Sequence, residues 1–312
     1  MTDSAYTELL KAWGIGFAER KQDLAIAGSP ERTAMRTVVR DEKGKFWILE
    51  QIEPDNLDRK QQVAENITCL SKHIHSVHPW CRSVEKQFFQ TFGNHNWMVR
   101  PYVEGMPLDR ETWLNEPWRL EAMAEFLIRL QKCSGLQSAS FFSMPDYTAK
   151  RMKAWGSRYP KLAEALSPVF GRLRNGFFSV HDSLPTAFCH GDFHPLNIVW
   201  GEGHIRSVID WEFCGIKPEL YDVALLLGCI GFDDPDNLIR EPAVRLVGRL
   251  KESGFGDHQS WNELTGLMAT IRFGWMSEWI RRQDEESVEM EVVYIDILVD
   301  QASFLSKTWG LG

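Results

Sequence analysis

The residues of this chain best suited to chemistry lie in two stretches: Cys189-His190-Gly191-Asp192-Phe193-His194-Pro195-Leu196-Asn197, and Val208-Ile209-Asp210-Trp211-Glu212. Together they read H-x-D-x4-N, then a strand that ends in a second aspartate. The set suits phosphoryl transfer. One carboxylate, Asp192, orients a hydroxyl and accepts its proton. An amide, Asn197, and a carboxylate, Asp210, hold Mg2+ against phosphate oxygens. The transition state is loose, so aiming the hydroxyl in line matters more than base strength. His190-x-Asp192-x-His194 also puts three metal-ligating types at alternate positions, which would share one face of a strand. Two imidazoles suit zinc or iron better than Mg2+, and Pro195 marks a loop, so a metal-dependent hydrolase is the weaker reading.

The elements that must position these residues follow from periodicity and turn chemistry. Two short β segments, 197–200 and 206–210, are joined by Gly201-Glu202-Gly203. Upstream, a short helix is predicted over 5–20. Strands are predicted over 33–40 and 46–52, paired as a hairpin around Asp41-Glu42-Lys43-Gly44-Lys45. In 58–78, Val63, Ile67, Leu70 and Ile74 recur on one helical face. A strand from Asn96 runs into an extended segment that ends at Gly105. Beyond it, helices are predicted over 117–135, 147–180, 219–231, 239–253, 260–282 and 287–307. With no Pro/Gly/Ser-rich linker, the order implies two lobes sharing a cleft: a β-rich lobe over 1–104 and a mainly helical one over 105–312.

Bulk composition narrows the class. A chain of 312 residues with 44% apolar and 25% charged content can bury a sizeable core. A net charge of -8 argues against nucleic-acid and anionic-membrane partners. Six cysteines without C-x-x-C spacing read as reduced thiols. The start, Met1-Thr2-Asp3-Ser4-Ala5, has neither a basic n-region nor an apolar h-region, and the longest apolar run, Val223 to Phe232, is too short to span a bilayer. A cytoplasmic enzyme is expected. Its oligomeric state is not encoded in any pattern we can read.

His190 to Asn197 and Ile209-Asp210-Trp211-Glu212 resemble the aminoglycoside phosphotransferase and choline kinase superfamily. Tyr221-Asp222-Val223-Ala224 and Tyr102-Val103-Glu104-Gly105 agree with that resemblance. It implies an α+β, two-lobed protein-kinase-like fold, with a nucleotide-binding N-terminal lobe and a catalytic, substrate-binding C-terminal lobe. It implies ATP and Mg2+ as cofactors and a small-molecule hydroxyl as acceptor, with Asp192 as the catalytic carboxylate. By the same resemblance His190 and Asp222 brace the loop through backbone bonds. Backbone groups at Tyr102 and Val103 would meet an adenine edge, and Ser29 or Thr33, where a phosphate loop belongs, would donate to phosphate. Trp275, Trp279, Trp211 and Tyr294, with Glu278, Asp284, Glu285, Glu286, Glu289, Glu291 and Asp296, suit an amine or quaternary ammonium acceptor.

The chain departs from the pattern in one sub-site. Kinase-like folds carry a third-strand lysine for the phosphates and a helix glutamate to pair with it. Here the strand position is Glu50, which would repel phosphate, and the candidate helix partner, Glu65, would lack a cation. Gly28-Ser29-Pro30-Glu31-Arg32-Thr33 has one glycine and a proline, which removes an amide donor. Arg36, Arg40, Lys45 or Arg32 would have to substitute for the lysine. The alternative is a pseudokinase or ligand-binding module with weak or no ATP use.

Overall fold

The computed structural model describes residues 1–26, 35–137 and 142–311. In chain order the elements are α1 (Asp3–Lys11), β1 (Phe17–Lys21), β2 (Met35–Asp41), β3 (Phe46–Ile52), α2 (Leu57–Leu70), β4 (Gln90–Phe92), β5 (His95–Pro101), α3 (Pro117–Gln131), α4 (Met144–Arg158), α5 (Pro160–Asn175) and α6 (Phe177–Val180). Then follow β6 (Thr186–Cys189), β7 (Ile198–Gly201), β8 (His204–Val208), β9 (Gly215–Pro218), α7 (Tyr221–Ile230), α8 (Glu241–Glu252), α9 (His258–Asn262), α10 (Leu264–Arg282), α11 (Glu285–Asp300) and α12 (Ala302–Thr308). The architecture is α+β. No helix among the described residues is long and apolar enough to cross a membrane.

The chain divides into two compact units. The first takes Met1–Trp113, Lys132–Ala139 and Pro195–Cys214; the second takes Leu114–Gln131, Ser140–His194 and Gly215–Gly312. The first is built on an antiparallel sheet in the order β1-β2-β3-β5-β4. Alternation gives the sheet two distinct faces. On one face Val39, Leu49, Trp97 and Val99 pack with Tyr6, Leu9 and Leu10 of α1 and with Trp13. Each such side chain, fully buried, contributes about 1.5–3 kcal/mol. Thr2 starts α1 by accepting the N–H of Ala5. The other face carries Val38, Ile48 and Met98 beside the charged Arg36, Glu50 and Arg100, as the ladder pairs Arg36 with Glu50 and Ile48 with Arg100 require.

The hairpin β7–β8 belongs to this unit. After β5 the chain crosses onto it, with Met106 N–H donating to the Trp200 carbonyl at 2.8 Å. A Cβ at Gly105 would sit 2.4 Å from Val199 Cγ1, so only glycine permits this approach.

The second unit is mainly helical, with the short ladder β6–β9 carrying the loop at 190–194. Asp284 caps α11 by accepting the Ser287 N–H at 3.0 Å. A buried ion pair ties α10 to α11: Arg272 meets both carboxylate oxygens of Glu291 at 2.5 Å. Trp279 Nε1 donates to the same carboxylate at 2.9 Å.

Several boundaries differ from the sequence expectation. The helix predicted over 5–20 stops at Lys11, and Phe17–Lys21 joins the sheet as β1. Gly14, at φ +65, turns the chain between them. The helix predicted over 147–180 is three helices, interrupted at Tyr159 and Gly176, where φ and ψ leave the helical region. The strands β4, β6 and β9 are too short for an alternating pattern to announce them.

Candidate active site

Asp192 lies in the loop that leaves β6, where Gly191 takes a left-handed φ of +83 that a side chain would strain. The loop is held from two sides. Asp222, at the start of α7, accepts the N–H of His190 at 2.6 Å and of Gly191 at 2.8 Å. Burial pushes the Asp222 carboxyl up to about 6, against the pull of those N–H groups and the Lys217 charge. His190 is fully buried, and its Nδ1 accepts the Asp192 N–H at 3.2 Å. Asp192 itself is half-buried, with His194 Nε2 at 3.7 Å from Oδ1. His194 packs its ring edge against Trp275, centroids 5.8 Å apart. Among the described residues no group of three or more His, Cys, Asp or Glu could hold a metal ion.

Asn197 and Asp210 sit in the first unit, at the open end of the β7–β8 hairpin. The Asn197 carbonyl accepts the Ile209 N–H at 2.9 Å, which brings Asp210 within one residue of it in the ladder. Asp210 takes a left-handed conformation, φ 64 and ψ 55, costly for a residue with a side chain and maintained only by firm surroundings. Those surroundings come from α2. Arg59 Nη2 donates to the Glu212 carbonyl at 2.8 Å and the Cys214 carbonyl at 2.5 Å. Lys60, buried, forms an ion pair with the Glu212 carboxylate.

A cavity of about 640 Å³, partly open to solvent, lies within this unit. Tyr102, Val103, Arg36, Glu50, Arg100, Lys60 and Asp210 are among its lining residues. Glu50 is 1% exposed, with Arg36 Nε and Arg100 Nη2 each 3.1 Å from Oε1, and Trp80 Nε1 donating to Oε2 at 3.3 Å. Burial alone would raise its pKa; the charges of Arg100, Lys60 and Arg36 overcome that and hold it at about 2. The carboxylate is therefore ionised.

The structure thus brings Tyr102, Val103 and Asp210 to one cavity and places Asp192, His190 and Asp222 in one loop system of the other unit. Ser29, Thr33 and Arg32 lie outside the described residues. Glu65 does not line the cavity; it accepts from Gln61 at 3.1 Å. Arg40 pairs with Glu19 at 2.6 Å, away from the cavity lining. Of the carboxylates expected to attract a cationic acceptor, Glu278 is engaged by Arg281 and Arg282, Glu291 by Arg272 and Asp296 by Arg172. Trp211 and Tyr294 are buried; Trp275 and Trp279 are half-buried, ring centroids 5.5 Å apart. Lys60 and Arg59 were not singled out by sequence. The readable signal was Lys60 on the same stripe as Val63, Ile67 and Leu70, a charge on a buried helical face.

A small β-rich lobe, a larger helical lobe and the Asp192 loop between short strands define the protein-kinase-like fold. The family model described as the phosphotransferase enzyme family, APH, matches residues 32–260. The chain belongs to this family of phosphotransferase enzymes. No curated protein sequence matches it. Among solved structures, an aminoglycoside phosphotransferase from Alicyclobacillus acidocaldarius aligns with a TM-score of 0.65 at 10% identity, over 97% of this chain and 96% of its own. A thermostable mutant of aminoglycoside phosphotransferase APH(4)-Ia, in ternary complex with AMP-PNP and hygromycin B, gives 0.65 at 14% identity, over 96% and 98%. The amicoumacin kinase hAmiN, in complex with AMP-PNP, Ca2+ and Ami, gives 0.57 at 14% identity, over 89% and 91%. At these identities the likenesses establish the fold.

Proposed function

We propose that the chain is a cytoplasmic, ATP- and Mg2+-dependent phosphotransferase acting on the hydroxyl of a small molecule. The observation that carries this reading is the cavity of the first unit. It joins the Tyr102–Val103 crossing segment, a set of cations and the strained Asp210 in one partly open space. The donor set fits the cofactors. Asp210 and the side-chain carbonyl of Asn197 are hard oxygen ligands, as Mg2+ prefers, and Arg36, Lys60 and Arg100 line the same cavity as Asp210. Bound there, Mg-ATP supplies an activated phosphoryl group.

The residues of the chain do the rest. Backbone at Tyr102 and Val103 meets the base. Asn197 and Asp210 would hold the metal. Asp192 accepts a hydrogen bond from the acceptor hydroxyl, aims its oxygen at the phosphorus and takes the proton as the new P–O bond forms and the bond to ADP breaks. His190 and Asp222 keep the loop in register for that role. An amine-bearing acceptor suits the half-buried faces of Trp275 and Trp279; hygromycin B and Ami, bound by two structural neighbours, support a small-molecule acceptor.

The test is Asp192→Asn in an ATP-consumption screen of amino alcohols, sugars and aminoglycosides. Phosphate transfer should fall about 100- to 10,000-fold while the melting temperature holds; an unchanged rate would overturn the assignment. One observation favours a second reading, a module that does not use ATP: the third strand carries Glu50 where a phosphate-binding lysine is expected. Wild-type protein whose melting temperature ignores millimolar Mg-ADP would support that second reading.

A further inference from the structure

In kinase-like folds the third strand gives a lysine to the phosphates and a helix gives that lysine a glutamate partner. In this chain the polarity is reversed. The carboxylate, Glu50, is on β3 and the ammonium, Lys60, is on α2. Lys60 is sealed, with a side chain 2% exposed and its charge spent on Glu212. It lines the cavity wall while its ammonium is held by Glu212.

Two other cations line the cavity as well. Arg36 stands directly across the β2–β3 ladder from Glu50, and Arg100 stands on β5 opposite Ile48, so all three share the cavity face. Their side chains keep 12% and 13% exposure, against 1% for Glu50. Arg36 Nε and Arg100 Nη2 each lie 3.1 Å from one oxygen of Glu50. The planar guanidinium fork that holds a carboxylate also matches the geometry of phosphate. The charges agree. The ionisable lining pairs Arg36, Lys60 and Arg100 with Glu50, Glu212 and Asp210. Once Asp210 is committed to a metal, the remaining five carry an excess positive charge.

We propose that Arg36 and Arg100, held on either side of Glu50, are the phosphate-binding cations of this chain and take the place of the third-strand lysine. Glu50 acts as their anchor: it fixes both forks and spares them the cost of standing in a buried site unpaired. The inference rests on the ATP reading above and goes beyond it by naming the residues that grip the phosphates.

The experiment compares binding of ADP and of adenosine, each by calorimetric titration, to wild type, Arg36→Gln and Arg100→Gln. Each substitution should weaken ADP at least tenfold, about 1.4 kcal/mol, and leave adenosine unchanged. Melting curves report whether each variant folds. If a single variant does not fold, Glu50→Gln/Arg100→Gln takes its place; it removes the buried charge together with a partner, and the same loss for ADP alone is expected. ADP affinity within twofold of wild type in folded variants overturns the proposal. So does a parallel loss of ADP and adenosine, which would mark the cluster as purely architectural. Wild type that binds no ADP overturns the ATP reading along with it.

Discussion

Each unit of this protein buries a glutamate against arginine, and the two clusters are built to different ends. Glu291 faces one arginine, Arg272, through two 2.5 Å contacts, and the rings of Phe232, Tyr294 and Trp275 stand 4.5, 5.3 and 5.5 Å from the guanidinium. Charge is matched one to one, and aromatic walls enclose it. Glu50 instead faces Arg36 and Arg100 directly, feels Lys60 as well, and opens on a cavity. A closed, balanced pair is a brace between helices. An open cluster that sets two arginines on one carboxylate can receive an anion. Burial of a charged pair is thus no guide to its role; stoichiometry and the side left open are.

The comparison can be broken at several points. The largest stability effect should follow Glu291→Gln, which strands Arg272 in an enclosed site: about 3–5 kcal/mol lost in denaturant titration. A loss under about 1 kcal/mol would mean the pair is not the closed brace described. Glu50→Gln should cost less, about 1–3 kcal/mol, because its arginines keep an outlet to the cavity; a cost equal to that of Glu291→Gln would erase the distinction. The smallest effect is one of pH. The folded-state pKa of Glu50, about 2, lies below its ordinary 4.5, so its contribution is complete above about 4.5 and fades as the pH falls toward 2. The stability gap between wild type and Glu50→Gln should therefore narrow over that window. A gap that stays constant or widens there would refute the assignment.

The motif residues were legible because their chemistry is local. Asp192, Asn197 and Asp210 stand at fixed spacing on a loop and a hairpin, and neither needs distant partners to be recognised. The α+β order and the hairpin β2–β3 were readable for the same reason. The cation grip was not. Glu50 reads as an oddity in Phe46–Ile52 until the ladder shows Arg36 opposite it and Arg100 two strands away from β2. Arg59 and Lys60 share a helix that periodicity found, yet their partners, Glu212 and Cys214, come from a distant part of the chain. The acidic and aromatic residues of α10 and α11 read as an acceptor site from composition. In the structure Glu278 and Glu291 are bound to the protein's own arginines. Which carboxylates remain available is decided by packing, which no spacing rule records.

The first unit takes its last segment, Pro195–Cys214, from beyond most of the second unit's leading helices. Synthesis therefore delivers the five-stranded sheet long before the hairpin that carries Asp210. Until Cys214 has left the ribosome, Lys60 has no Glu212 and Arg59 has no carbonyls to hold. Closing such a distant contact is slow relative to forming the local hairpins. A nascent chain stalled near Trp113 should thus leave Arg59 and Lys60 of α2 without the partners they hold in the finished protein.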